Sequence, residues 1–217
     1  MGKLSCGITI QFFLMLNAPR YSLLLLFILA QFNSFSQNFD INLLKSINKK
    51  ETSFKDNFFK ADAQSVTIFN IAAPVGVFTA GLIKHDKKLE IDAAYMAGGF
   101  IVSTIITQGT KRIVQRQRPF DKYAFIVKRD EGGGYSFPSG HTSAAFTTAT
   151  SLSLLFPKWY VIAPAYLWAT SVAYARMYQG VHYPTDVFAG AIVGAGSAWL
   201  AWKVQKWMDK KQRKKSK

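Results

Sequence analysis

The chain alternates between long apolar blocks and short polar stretches that are mostly basic. Five blocks stand out, at residues 64–83, 91–109, 142–156, 160–175 and 184–202. A helix crossing a hydrocarbon core needs about 20 predominantly apolar residues. The third and fourth blocks are short, but the helical turns carrying Ser139 to His141 and Arg176 extend them. Pro74 and Gly76 mark a tolerated kink in the first block. Trp159, Trp168, Trp202 and Trp207 lie at or near block ends, as an interfacial aromatic belt requires. Gly190, Gly194 and Gly196 give the fifth block a small-residue face for close helix packing. The pattern predicts an all-α, polytopic membrane helical bundle with five spans, occupying residues 63–202.

Composition narrows the class. The chain is 49% hydrophobic and carries a formal net charge of +15. A soluble nucleic-acid binder would place such charge in a stripe on a polar domain. Here the charges sit between apolar blocks, so no nucleic-acid partner is expected. Cys6 is the single cysteine, which rules out an intramolecular disulfide.

Residues 1–37 read as a signal peptide cleaved near Ser36. Lys3 and Arg20 precede an apolar core at 21–30, and small residues follow at Ser34 and Ser36. An uncleaved signal anchor is the alternative, and Met15 is an alternative start. Residues 38–62 mix apolar and charged positions. They are read as a periplasmic amphipathic segment on the membrane face, with a solvated linker as the competing reading.

Counting spans orients the rest. Five spans put 84–90, 157–158 and the basic tail 203–217 on one side. The stretches containing 111–141 and 176–182 fall on the other. Eight Lys and Arg face a single Asp209 in the tail, so that side is cytoplasmic by the positive-inside rule. The opposite face, expected to be the periplasmic side of a bacterial inner membrane, is also basic. Its 111–138 loop holds seven Lys and Arg against three acids, an excess better explained by an anion site than by topology.

The chemistry concentrates in three stretches of that face. In the third, Arg176 is followed by His182 and then Asp186. With Pro184 in the first turn of a helix, His182 and Asp186 share a face. A carboxylate beside an imidazole fixes its tautomer and stabilises the imidazolium. The planar fork of Arg176 suits a phosphate. The bland alternative is a snorkelling Arg176 and a capped interfacial His182. The other two stretches, Lys111 to Pro119 and Phe137 to Thr142, weigh against it.

Together, Lys111-x6-Arg118-Pro119, Pro138-Ser139-Gly140-His141 and Arg176-x5-His182-x3-Asp186 resemble the three-part signature of the type 2 phosphatidic acid phosphatase (PAP2) and vanadium haloperoxidase superfamily. The likeness covers roughly residues 63–202, and Ala175 stands where many members have Ser. It implies a membrane lipid phosphatase acting through a phosphohistidine. Lys111, Arg118 and Arg176 would supply charge to the phosphoryl oxygens, with Ser139 and the Gly140 N–H as further donors. His182 would attack phosphorus, Asp186 would orient it, and His141 would serve as acid and then base. Arg112 and Arg116 are read as a solvated or lipid-headgroup face, and His85 as bland.

No Asp, Glu, His or Cys group has metal-ligand spacing, so neither metal nor other cofactor is expected, and no protein partner is evident. The substrate class is a lipid phosphate or pyrophosphate: phosphatidic acid, phosphatidylglycerol phosphate, an isoprenyl pyrophosphate or a lipid A phosphate. The loop from Asp121 to Tyr135, with Gly132 to Gly134, is read as a lid. A vanadate-dependent oxidase and a non-catalytic lipid-phosphate binding or transport protein are the alternatives.

Overall fold

Every apolar block is helical, and no strand occurs among the described residues, 39–49 and 53–215 of a computed structural model. The elements are α1 (39–47), α2 (Ser53–Ile83), α3 (Lys87–Val114), α4 (Pro119–Lys122), α5 (Gly140–Leu155), α6 (Trp159–Tyr178) and α7 (Pro184–Lys215). Residues from Ile41 onward group into one compact unit. The export segment expected at 1–37 lies outside the described residues.

Three stretches are long and apolar enough to cross a membrane: Ser53–Ile83, Lys87–Lys122 and Pro184–Lys211. This is an integral membrane protein. Five spans were expected, and the two shorter blocks fall below that threshold for a physical reason. At 16 residues, α5 is about 24 Å long, less than a hydrocarbon core of about 30 Å. It packs against α2, α3, α6 and α7, so its surroundings are protein rather than lipid. Small and hydroxylated residues suit that place. Thr147 and Ser153 return their hydroxyls to the carbonyl oxygens of Ser143 (2.8 Å) and Ala149 (2.7 Å).

The glycines of α7 make the central packing possible. A Cβ built on Gly190 would lie 2.6 Å from the carbonyl oxygen of Ser139, and one on Gly194 would strike the carbonyl of Ser143. The α7 backbone therefore lies directly against the first turn of α5, which sequence motifs mark as chemical. At the opposite end of the bundle, Asp92 is buried and accepts from Lys88 Nζ (3.0 Å) and from the Gln205 amide. That contact ties α3 to α7 at this end of the bundle.

Helix α2 begins at Ser53, within the segment read as amphipathic, and runs on without a break into the first apolar block. Helix α7 continues through the basic stretch to Lys215.

Gly190→Ala is expected to destabilise the protein by about 1–3 kcal/mol, because the added methyl forces α5 and α7 apart. Gly196→Ala, where a Cβ meets nothing within 4 Å, is expected to be neutral. Thermal unfolding of the two variants in one detergent checks the difference.

Candidate functional site

Four helix ends and one loop converge at the end of the bundle opposite Asp92. Local chemistry sets each of them. Ser139 N-caps α5, accepting from Thr142 N–H and, at 2.9 Å, from the Thr142 hydroxyl. Pro184 opens α7 at the position where a missing N–H costs nothing. Asp186, two residues on, accepts from the Tyr183 N–H at 2.9 Å and so closes the same helix end. Gln115, at φ +50°, turns the chain after α3 and starts the return of Arg116 to Arg118. Gly180, at φ +72°, turns it after α6, where a Cβ would sit 2.6 Å from the Val127 carbonyl oxygen.

Asp186 is the most densely connected of these groups and is fully buried. One carboxylate oxygen accepts from Arg116 Nη1 at 2.6 Å. The other accepts from the Ser136 hydroxyl and the Tyr183 N–H, and lies 3.5 Å from His182 Nδ1. The Asp186 carbonyl oxygen accepts from Ser139 N–H at 2.9 Å, linking α7 to the α5 cap. His182 is thus held on its Nδ1 side by Asp186 and Ser136. Its Nε2 faces Arg118 Nη1 at 3.3 Å. Burial pushes the His182 pKa down to about 3, against the pull of Asp186 and helped by Arg118 and Arg176. The ring is therefore neutral throughout the physiological range, with a lone pair on one nitrogen.

The cations are fixed by acceptors rather than left to swing. Lys111 Nζ donates to the carbonyl oxygens of Tyr135 and Ser136. Arg118 donates to the carbonyl oxygens of Gly133 (2.8 Å), Gly134 (3.0 Å) and Val181 (2.8 Å). Arg176 is buried and donates from Nη1 to Asp130 (2.6 Å) and Gln179 (2.7 Å). Its Nε–H is buried with no partner. An orphaned buried donor costs about 1–3 kcal/mol, which an anion in this position would recover. His141, in the first turn of α5, lies within the field of Arg176, Asp130, Arg118 and Lys111. Gly140 is the first residue of that helix, whose opening N–H groups lack intrahelical partners.

All eight candidates, Lys111, Arg118, Ser139, Gly140, His141, Arg176, His182 and Asp186, are thus brought to one end of the bundle. Three further residues were not anticipated. Arg116, read as solvated, instead stacks on Tyr183 (3.8 Å from its guanidinium carbon to the ring centre) and pairs with Asp186. Ser136 bridges Asp186 and His182, and Asp130 pairs with Arg176. The only hint in sequence was the basic excess of this loop. The glycine run is no bare flap either, since two of its carbonyls hold Arg118. Among the described residues no group of three or more His, Cys, Asp or Glu is placed to hold a metal ion.

Comparison with known proteins places this geometry. The model of the PAP2 superfamily matches residues 92–210. The chain belongs to the PAP2 superfamily. A lipid A 4'-phosphatase of Bacteroides thetaiotaomicron is 39% identical over 92 residues, 42% of this chain and 41% of that protein. An undecaprenyl-diphosphatase of Sulfolobus acidocaldarius is 30% identical over 128 residues, 57% and 59% of the two chains. The chain thus spans about half the length of these curated relatives. The crystal structure of Aquifex aeolicus LpxE superposes with a TM-score of 0.66 at 27% identity, covering 76% of this chain and 95% of that one.

Arg116→Ala would strand the buried Asp186 without its charged partner. Arg116 is itself partly exposed, so the expected loss is about 2–3 kcal/mol rather than the 3–5 kcal/mol of a fully buried pair. The exposed Arg112, changed to Ala, is expected to stay within about 0.5 kcal/mol of the parent. Melting curves of both variants check this; equal stability of the two would contradict the assigned contact.

Proposed function

We propose that this PAP2 protein is a membrane lipid phosphatase that hydrolyses a phosphomonoester or pyrophosphate of a lipid through a phosphohistidine at His182. One observation carries the reading: a neutral, buried His182 is anchored on Nδ1 by Asp186 and Ser136 while its Nε2 faces the Arg118 guanidinium.

In the reaction, the phosphate sits among Lys111, Arg118 and Arg176, where the orphaned Arg176 Nε–H gains an acceptor. Fixed cations stabilise the charge that spreads over the equatorial oxygens, without reorganising as the reaction proceeds. The His182 Nε2 lone pair attacks phosphorus as the bond to the leaving oxygen breaks. Asp186 offsets the positive charge that the ring acquires. His141, in the protonated form that the bound phosphate's negative charge favours, gives its proton to the departing oxygen and then takes one from the water that attacks phosphohistidine, so that phosphate leaves and both histidines are restored. Ser139 and the Gly140 N–H complete the cradle at the helix N-terminus.

The shorter helices α5 and α6 complete a five-span bundle by drawing their polar ends into this site. The site end faces the periplasm of a bacterial inner membrane, and the Lys-rich end of α7 faces the cytoplasm. Relatives whose names cite lipid A and undecaprenyl diphosphate support an amphiphilic phosphate as substrate.

The purified protein is expected to release inorganic phosphate from one or more of four lipids in excess EDTA: phosphatidic acid, phosphatidylglycerol phosphate, an isoprenyl pyrophosphate or lipid A. Vanadate, which adopts the five-coordinate geometry of the transferring group, is expected to inhibit competitively. His182→Ala is expected to lower turnover at least 1,000-fold, in line with loss of a nucleophile. Metal-dependent release, or a His182→Ala protein of near-normal rate, would overturn the proposal.

A further inference from the structure

A cavity of about 380 Å³ opens between α2, α3 and α5, and its wall includes Gly140 and His141. That volume falls within the range of small-molecule sites, about 300–1,000 Å³. Its position matters because His141 is the proposed acid. Whatever oxygen His141 protonates belongs to the leaving group, so the body of the leaving group lies on that side of the phosphate.

The lining is mixed. Outward-facing residues of α2 and α3 such as Ile68, Ile101 and Ile105 are apolar. The cavity sets Thr67, Asn70, Thr104 and Gln108 among Val66, Ile71, Phe100 and Ala144. Several neighbouring hydroxyls are already used. Ser103 and Thr107 are bonded to Ser143, and Thr104 donates to the Phe100 carbonyl oxygen at 2.9 Å. Asn70 accepts from the Thr148 hydroxyl through Oδ1, which leaves its NH2 group to donate. Besides His141, the amides of Asn70 and Gln108 are therefore hydrogen-bonding groups of the wall that a ligand can reach. An amide turned to hydrocarbon costs several kcal/mol, and polar groups inside a span default to a functional role. Gln108 stands one helical turn from Lys111, which places the amide beside the phosphate cradle.

We propose that this cavity is the leaving-group subsite, and that Asn70 and Gln108 select a lipid whose phosphate is carried on a hydroxyl-bearing sugar ring over one carried on a plain isoprenyl chain. The inference rests on the phosphatase reading and adds to it the side of the cradle that sets specificity. A sugar offers ring oxygens and hydroxyls to both amides within a few ångströms of the scissile bond. An isoprenyl chain offers none and leaves both amides desolvated, the situation in which a site built for hydrogen bonds discriminates most strongly.

The test compares kcat/KM for two probes in mixed micelles, lipid A and undecaprenyl pyrophosphate, using the full chain. The parent is expected to favour lipid A at least tenfold. Gln108→Leu, a change at an exposed position, is expected to reduce that ratio tenfold or more, and Asn70→Ala to reduce it in the same direction. Because a ratio is read, a general loss of folded enzyme does not imitate the effect. A parent that favours undecaprenyl pyrophosphate, or variants whose ratio equals the parent's, would overturn the subsite while leaving the phosphatase reading intact. Failure to release phosphate from either lipid would overturn the subsite, and only failure on phosphatidic acid and phosphatidylglycerol phosphate as well would remove the phosphatase reading.

Discussion

The buried carboxylate of Asp186 is the point on which the rest of the site depends. A charge removed from water is stable only if it is paired and hydrogen-bonded. Asp186 meets this need by drawing together Arg116 from the loop after α3, Ser136 from the loop before α5, and the N–H of Tyr183 at the start of its own helix. Three separate stretches of chain are thereby fixed by one group. His182 inherits its position from that arrangement, with Nδ1 turned toward the carboxylate and Nε2 toward Arg118. The His182 contact itself is long, at 3.5 Å, so the shorter Arg116 and Ser136 contacts do most of the holding.

A second layer fixes the cations. The Asn48 side chain donates to the carbonyl oxygens of Val127 (2.9 Å) and Tyr178 (2.7 Å) and accepts from Val127 N–H (2.8 Å). Arg129 donates to the carbonyl oxygen of Tyr178 and pairs with Asp56 of α2. These contacts pin the loop that carries Asp130, and Asp130 in turn orients Arg176. The polar segment before the first span therefore acts on the site through the loop, without touching the proposed reacting groups.

Much of this was legible in the sequence. The five apolar blocks are all helices, and span parity placed the three motifs at one end of the bundle. Proline at the start of α7 and the four-residue spacing predicted that His182 and Asp186 meet. These signals are local: each depends on helix periodicity or capping within a few residues. Arg116, Ser136 and Asp130 were not legible, because their partners lie 70, 50 and 46 residues away and no periodicity encodes such pairs. That the carbonyls of Gly133 and Gly134 hold Arg118 was not legible for the same reason. Three of the five expected spans are long and apolar enough to cross a membrane by length and composition. A helix enclosed by four others needs no lipid-facing surface, and α5 is accordingly short and rich in Ser and Thr.

The central claim is that the network around Asp186 makes His182 the group that takes the phosphoryl. The most direct measurement is rapid acid-free quenching of the enzyme with a 32P-labelled lipid phosphate, followed by proteolysis and mapping of the label. The account predicts an acid-labile, alkali-stable label confined to the peptide containing His182, diminished in Arg116→Ala and absent from His182→Ala. Label on Ser139 or His141 instead, or turnover that continues undiminished in His182→Ala, would contradict it.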